Sequence, residues 1–133
     1  LFETHQKVRL EFRANGLDYV EVNADRDQLS RAIINLLKNG IQSIPDDQKG
    51  KIEINLNRRD HMAVIAITDN GEGISEELRD KLFSPSFTTK SSGMGLGLAI
   101  VKNIVENFSG HVWFETEEGK GSTFYIEIPI WEG

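Results

Sequence analysis

The sequence predicts an α+β two-layer sandwich: a mixed, mostly antiparallel sheet with about three helices packed on one face. Three observations predict it. Short segments of strict two-residue alternation recur along the chain. Two longer segments carry apolar residues at three- and four-residue spacing. Their order is two strands, a helix, two strands, a short and a long helix, then two strands.

Each element has its own signal. Residues 7–13 alternate, with Val8, Leu10 and Phe12 on one side and charged residues on the other, as in a half-buried strand. Asn15-Gly16 is a turn signal, and residues 19–23 read as a second strand closing a hairpin with the first. Asp25 then precedes a helical stripe of Leu29, Ile33, Leu36, Leu37, Ile41 and Ile44, which Pro45 ends. Residues 51–57 alternate with Ile52, Ile54 and Leu56 inward, 58–61 form a turn, and 62–68 are nearly continuously apolar, as a central strand would be. Ser75 with Glu76 and Glu77 resembles the cap and acidic first turn of a short helix. Residues 83–95 have no period and are rich in Ser, Thr, Gly and Pro; a loop that long in a small domain usually has a function. From Leu96, the residues Ile100, Ile104 and Phe108 fall at four-residue spacing beside Val101 and Val105, and Ser109-Gly110 closes the helix. Residues 112–116 and 123–128 make a final hairpin.

The 133 residues read as one domain with an ordinary apolar fraction of 38% and no Cys, which excludes a disulfide framework, a thiolate metal site and a Cys nucleophile. The longest apolar run, 62–67, is far short of the roughly 20 residues that cross a membrane. A net charge of −6 argues against a broad nucleic-acid-binding face. The chain opens mid-pattern at Leu1 without Met, so it reads as a piece of something longer.

The chemistry concentrates in the glycines. Five of the twelve, Gly71, Gly73, Gly93, Gly95 and Gly97, flank the long loop on both sides. Glycine lets backbone amides approach a ligand closely, and Gly95 and Gly97 stand where a helix begins, a place whose free N–H groups suit phosphate. Plain turn formation is the alternative. Neither the P-loop nor the dinucleotide glycine pattern is present. Asp69 emerges from the apolar strand into 69–74 and needs a donor there. The amino group of adenine is one, whereas guanine presents a carbonyl; the competing role for Asp69 is to cap its own turn. Asn35 and Asn39, four apart, share a helix face about 40° wide. Two neutral carboxamides suit Mg²⁺ carrying its own waters and phosphates, although a pair of plain surface residues would look the same.

Together these segments resemble the ATP-binding catalytic domain of sensor histidine kinases, in the wider GHKL family that includes gyrase. Asn35-Leu36-Leu37-Lys38-Asn39 resembles the N box and Asp69-Asn70-Gly71-Glu72-Gly73-Ile74 the G1 box. Leu82-Phe83-Ser84-Pro85-Ser86-Phe87-Thr88-Thr89-Lys90 resembles the F box, Gly93-Met94-Gly95-Leu96-Gly97-Leu98 the G2 box, and residues 119–124 the closing Gly/Thr motif. The Phe-Thr-Thr-Lys form is similar to that of the nitrogen-regulation kinases. The resemblance implies a Bergerat-type sandwich with residues 83–95 as a mobile ATP lid. It implies Mg²⁺ on Asn39 with Asn35 beside it near the phosphates, and adenine on Asp69 supported by Gly73 and Thr123. Gly71, Ile74, Phe87, Thr88 and Thr89 would line the nucleotide, Lys90 would contact phosphate, and Gly93, Met94, Gly95, Leu96, Gly97 and Leu98 would cradle it. Asn35 and Lys90 would then serve catalysis.

The implied partners are a dimerisation and histidine-phosphotransfer domain of the same protein and, through the phosphohistidine, a response regulator receiver domain. Neither nucleic acid nor membrane contact is expected, and the resemblance implies a cytoplasmic domain whose parent chain can be membrane-anchored. Two positions depart from the family's habit: Gly40 replaces the usual Ala, and Gln42 stands where a basic residue is common. The hydrolytic branches of the family place Glu where Asn35 stands, and a carboxamide is no general base. The expectation is therefore a kinase domain that holds ATP for an external His and cannot phosphorylate itself alone. The alternatives are an ATPase clamp and a non-enzymatic nucleotide sensor.

Overall fold

A computed structural model describes residues 8–13, 21–84 and 94–131. Eight elements follow one another: β1 (Val8–Arg13), α1 (Arg26–Gln42), β2 (Gly50–Arg59), β3 (Met62–Asp69), α2 (Glu76–Arg79), α3 (Met94–Asn107), β4 (His111–Glu117) and β5 (Gly121–Pro129). The five strands form one sheet in the order β1-β2-β3-β5-β4. β1 runs parallel to β2, and every other neighbour pair is antiparallel. The result is the expected two-layer α+β sandwich with a mixed, mostly antiparallel sheet.

The expected hairpin between β1 and residues 19–23 is not what β1 does. β1 pairs with β2 from Val8 opposite Gly50 to Arg13 opposite Asn55, and α1 makes the crossover that a parallel pair requires. Val22 instead bridges Ile130 at the other end of the sheet, held by Trp131 N–H to Glu21 O at 2.8 Å. The Asn15-Gly16 turn and residues up to 20 lie outside the described residues. Alternation in residues 7–13 reports a strand but carries no information about its partner.

One face of the sheet holds the core. Leu36, Leu37 and Ala32 of α1 and Leu98, Val101, Ile104 and Val105 of α3 pack onto Ile52, Ile67, Phe124, Ile126 and Ile128. Each Leu, Ile, Val or Phe side chain fully buried there contributes about 1.5–3 kcal/mol. The buried edge of α3 runs through Val101 and Val105; Ile100 and Phe108, on the expected stripe, are only half-buried. Short α2 sits at the margin, touching this core through Leu78.

The ends of the helices follow from local chemistry. Asp25 caps α1 by accepting the Gln28 N–H at 3.0 Å. Ser75 precedes α2 but makes no side-chain cap bond. At the end of α3 the left-handed residue is Ser109 (φ 64°), not Gly110. Gly110 is needed for another reason: a Cβ there would lie 2.1 Å from Glu127 O. Among the described residues no helix is long and apolar enough to cross a membrane.

Candidate functional site

Asp69, the last residue of β3, is the centre of the site. It is 5% exposed, and one of its oxygens, Oδ1, receives three donors: Gly71 N–H at 2.9 Å, the Ser43 hydroxyl at 3.2 Å and Ser122 N–H at 3.3 Å. Burial pushes the carboxyl above its ordinary range, and these three hydrogen bonds oppose that shift. Among the described residues no donor meets Oδ2, which faces Gly40: a Cβ there would lie 3.5 Å from it. A buried carboxylate with one saturated and one free oxygen is shaped to accept a hydrogen bond from a ligand.

The loop that follows is fixed on several sides. Glu72 N–H donates to Ser43 O at 3.0 Å, which ties the loop to the end of α1. The Asn70 side chain accepts Lys51 N–H at 2.8 Å and donates to Lys49 O at 3.0 Å, and Gln48 Nε2 donates to Asn70 O. On the other side Gly119 N–H donates to Glu72 O at 2.8 Å, and Ile74 N–H donates to Thr116 Oγ1 at 3.0 Å. Arg79 Nε and an Arg79 terminal nitrogen both donate to Ile74 O, at 3.1 and 3.0 Å. Gly71 and Gly73 are explained by this stitching rather than by open approach to a ligand. A Cβ on Gly71 would sit 2.1 Å from Ser43 Oγ, and one on Gly73 (φ 76°) would sit 2.4 Å from Glu117 O.

Asn35 and Asn39 lie on α1 beside this loop, Asn35 half-buried and Asn39 only 8% exposed. Among the described residues nothing hydrogen-bonds the Asn39 carboxamide. No buried side-chain polar atom among those residues lacks a partner, so the unpaired amide atoms of Asn39 reach the surface, where a neutral oxygen is available to a hydrated cation and the residue fits the expected Mg²⁺. α3 begins at Met94, two residues earlier than the sequence suggests. Gly95, Leu96 and Gly97 therefore belong to its first turn, where backbone N–H groups have no intrahelical acceptor. Gly97 faces the first helix, its absent Cβ 3.9 Å from Asn35 Cγ. The structure thus brings Asn35 and Gly97 together across the α1–α3 contact.

Two expected site residues have side chains that point away from the Asp69 carboxylate. Thr123 is paired with Thr68 through their hydroxyls at 2.9 Å, on the sheet face opposite Asp69. Ser122, not Thr123, stands opposite Asp69 in register and donates its N–H to that carboxylate, and its hydroxyl lies 2.8 Å from that of Thr116. The alternation Ser122, Phe124, Ile126, Ile128 carries this signal in the sequence, because three inward apolar residues make Ser122 inward and Thr123 outward. Leu98, placed in the cradle by its motif, has its side chain in the core at 2% exposed. Phe83 is half-buried and packs against the core, its ring 6.1 Å from Phe114 and 6.3 Å from Phe124. Phe87, Thr88, Thr89, Lys90 and Gly93 lie outside the described residues, as do the side chains of Met94 and Leu96.

Residues 24–132 match the model of a family described as histidine kinase-, DNA gyrase B- and HSP90-like ATPase. The chain is similar to the sensor histidine kinase ZraS of Escherichia coli (strain K12), 41% identical over 125 residues that make up 94% of this chain and 26% of ZraS. It spans only about a quarter of that relative. Among solved structures, the catalytic domain of histidine kinase ThkA matches with a TM-score of 0.80 at 36% identity, covering 92% of this chain and 79% of that one. A second match is ThkA in complex with the response regulator protein TrrA, with a TM-score of 0.75 at 32% identity, covering 92% of this chain and 34% of that one.

Proposed function

The chain belongs to the histidine kinase-, DNA gyrase B- and HSP90-like ATPase family, and we propose that it is the ATP-binding catalytic domain of a protein-histidine kinase. It binds Mg·ATP and presents the γ-phosphate to a His on a dimerisation helix domain of the same protein. From that phosphohistidine a response regulator receives the group. Asp69 carries the reading. Its free Oδ2 accepts from the 6-amino group of adenine, and the same oxygen faces the guanine carbonyl with repulsion.

The remaining roles follow from position. Asn39, with Asn35 beside it, would hold Mg²⁺, which when bound neutralises phosphate charge. Gly97 leaves the α3 N-terminus open beside Asn35, so phosphate oxygens can approach its free amides. Asn35 decides between transfer and hydrolysis. A carboxamide leaves the attacking group to be supplied by another domain, because it cannot take a proton from water at neutral pH. Phosphoryl transfer asks the protein mainly for alignment and charge neutralisation, which this arrangement supplies.

Calorimetric titration with ATP and GTP, with and without Mg²⁺, tests the reading. ATP should bind in a Mg²⁺-dependent way, GTP far more weakly, and the chain alone should turn over little ATP. Adding a His-bearing helical domain should then yield an acid-labile phosphoprotein. Equal affinity for the two nucleotides would overturn the adenine assignment, and rapid turnover by the isolated chain would favour a hydrolytic clamp.

A further inference from the structure

We propose that Ser43 is a positioning residue for base recognition: its hydroxyl holds the Asp69 carboxylate so that Oδ2, not Oδ1, is left for the base. The inference rests on the reading that Asp69 receives adenine. A carboxylate's terminal torsion is broad and two-fold, so the covalent structure does not select which oxygen faces a ligand. Selection here comes from three donors that converge on Oδ1. Two of them are backbone amides, of Gly71 and Ser122. Ser43 is the one side chain in the set.

Its location suits the task. Ser43 follows Gln42 as the C-cap of α1, the helix that bears Asn35 and Asn39, and its own N–H bonds Asn39 O at 3.1 Å. Its carbonyl accepts Glu72 N–H, and Gly71 packs against its hydroxyl too tightly for any Cβ. One residue thus touches the end of the N-box helix, the carboxylate and the loop backbone. The hydroxyl has one proton and two acceptors, Asp69 Oδ1 at 3.2 Å and Gly40 O at 2.8 Å, and its simpler role is helix capping through the shorter of the two. A capping bond supports the fold whichever ligand is bound; a bond that orients Asp69 matters only to a ligand that uses Asp69.

The probe is therefore a pair of nucleotides: ATP and purine riboside triphosphate, which lacks the 6-amino group. Ser43→Ala should weaken ATP about 3- to 10-fold, the size of one hydrogen bond. It should change the affinity for purine riboside triphosphate less than about twofold, because that ligand makes no bond to the oriented oxygen. The ratio of the two affinities is the readout, with the melting temperature recorded for each protein. Equal losses for both nucleotides, or no loss for either, would overturn the proposal and leave a cap. A wild-type chain that bound both nucleotides equally well would instead remove the adenine reading, and this proposal with it.

Discussion

Replacing Asp69 by Asn separates recognition from folding. The amide keeps an oxygen to accept from Gly71, Ser43 and Ser122, so the three bonds that hold the loop survive. At the Oδ2 position an acceptor becomes an NH₂ donor facing a donor of the base. The loss is one hydrogen bond to a charged acceptor, worth about 1.5–3 kcal/mol, which is roughly a 10- to 150-fold rise in Kd for ATP. Stability should move the other way. Burial raises the Asp69 carboxyl above its ordinary value of 3.8, so the folded chain binds that proton more tightly than the unfolded one. Stability contributed by this group therefore falls as pH rises from 3.8 through the raised value, and the ionised form is a cost above it. A carboxamide at this position carries no such cost, so Asp69→Asn should be at least as stable as wild type at neutral pH. Calorimetry with Mg·ATP and thermal melts of both proteins from pH 4 to 8 measure the two effects. Unchanged ATP affinity, or a variant that melts well below wild type at pH 7, would refute the reasoning.

The glycines give a contrasting pair. Among the described residues the methyl of Gly97→Ala meets only Asn35 Cγ at 3.9 Å, so the variant should fold, gain up to about 1 kcal/mol of helix propensity and melt a few degrees higher. The same methyl narrows the phosphate approach, so calorimetry should show weaker ATP binding. Gly71→Ala drives a Cβ to 2.1 Å from Ser43 Oγ and 2.6 Å from Ser43 O; the strain, about 1–3 kcal/mol, should lower the urea midpoint and ATP affinity together. Asn39→Ala removes a carboxamide that no described residue hydrogen-bonds, so the fold should persist while Mg²⁺ ceases to strengthen ATP binding in paired titrations.

Much of the fold was legible because it is local. The stripe from Leu29 to Ile41 marks α1, and Asp25 marks its start, because helix period and capping are read within a few residues. Most of the nucleotide motifs were legible as segments for the same reason. Pairings between distant segments were not. Nothing near Val8 says that it will lie beside Gly50, and nothing near Ser43 says that it will meet Asp69, 26 residues away. Thr123 is an intermediate case. The motif drew attention to the threonine, while the inward alternation of Phe124, Ile126 and Ile128 already assigned the inward position to Ser122. Leu98 repeats the lesson: a motif names a segment, and burial decides which of its side chains face a ligand.

The loop from Asp69 to Ile74 leans at once on the end of α1 and on the β4–β5 turn at Glu117 and Gly119. Exchanging those six residues as a cassette would therefore break contacts with both neighbours. On the proposed function, the base would be read by a unit of three separate stretches of chain, around residues 43, 70 and 119, that are hydrogen-bonded to one another.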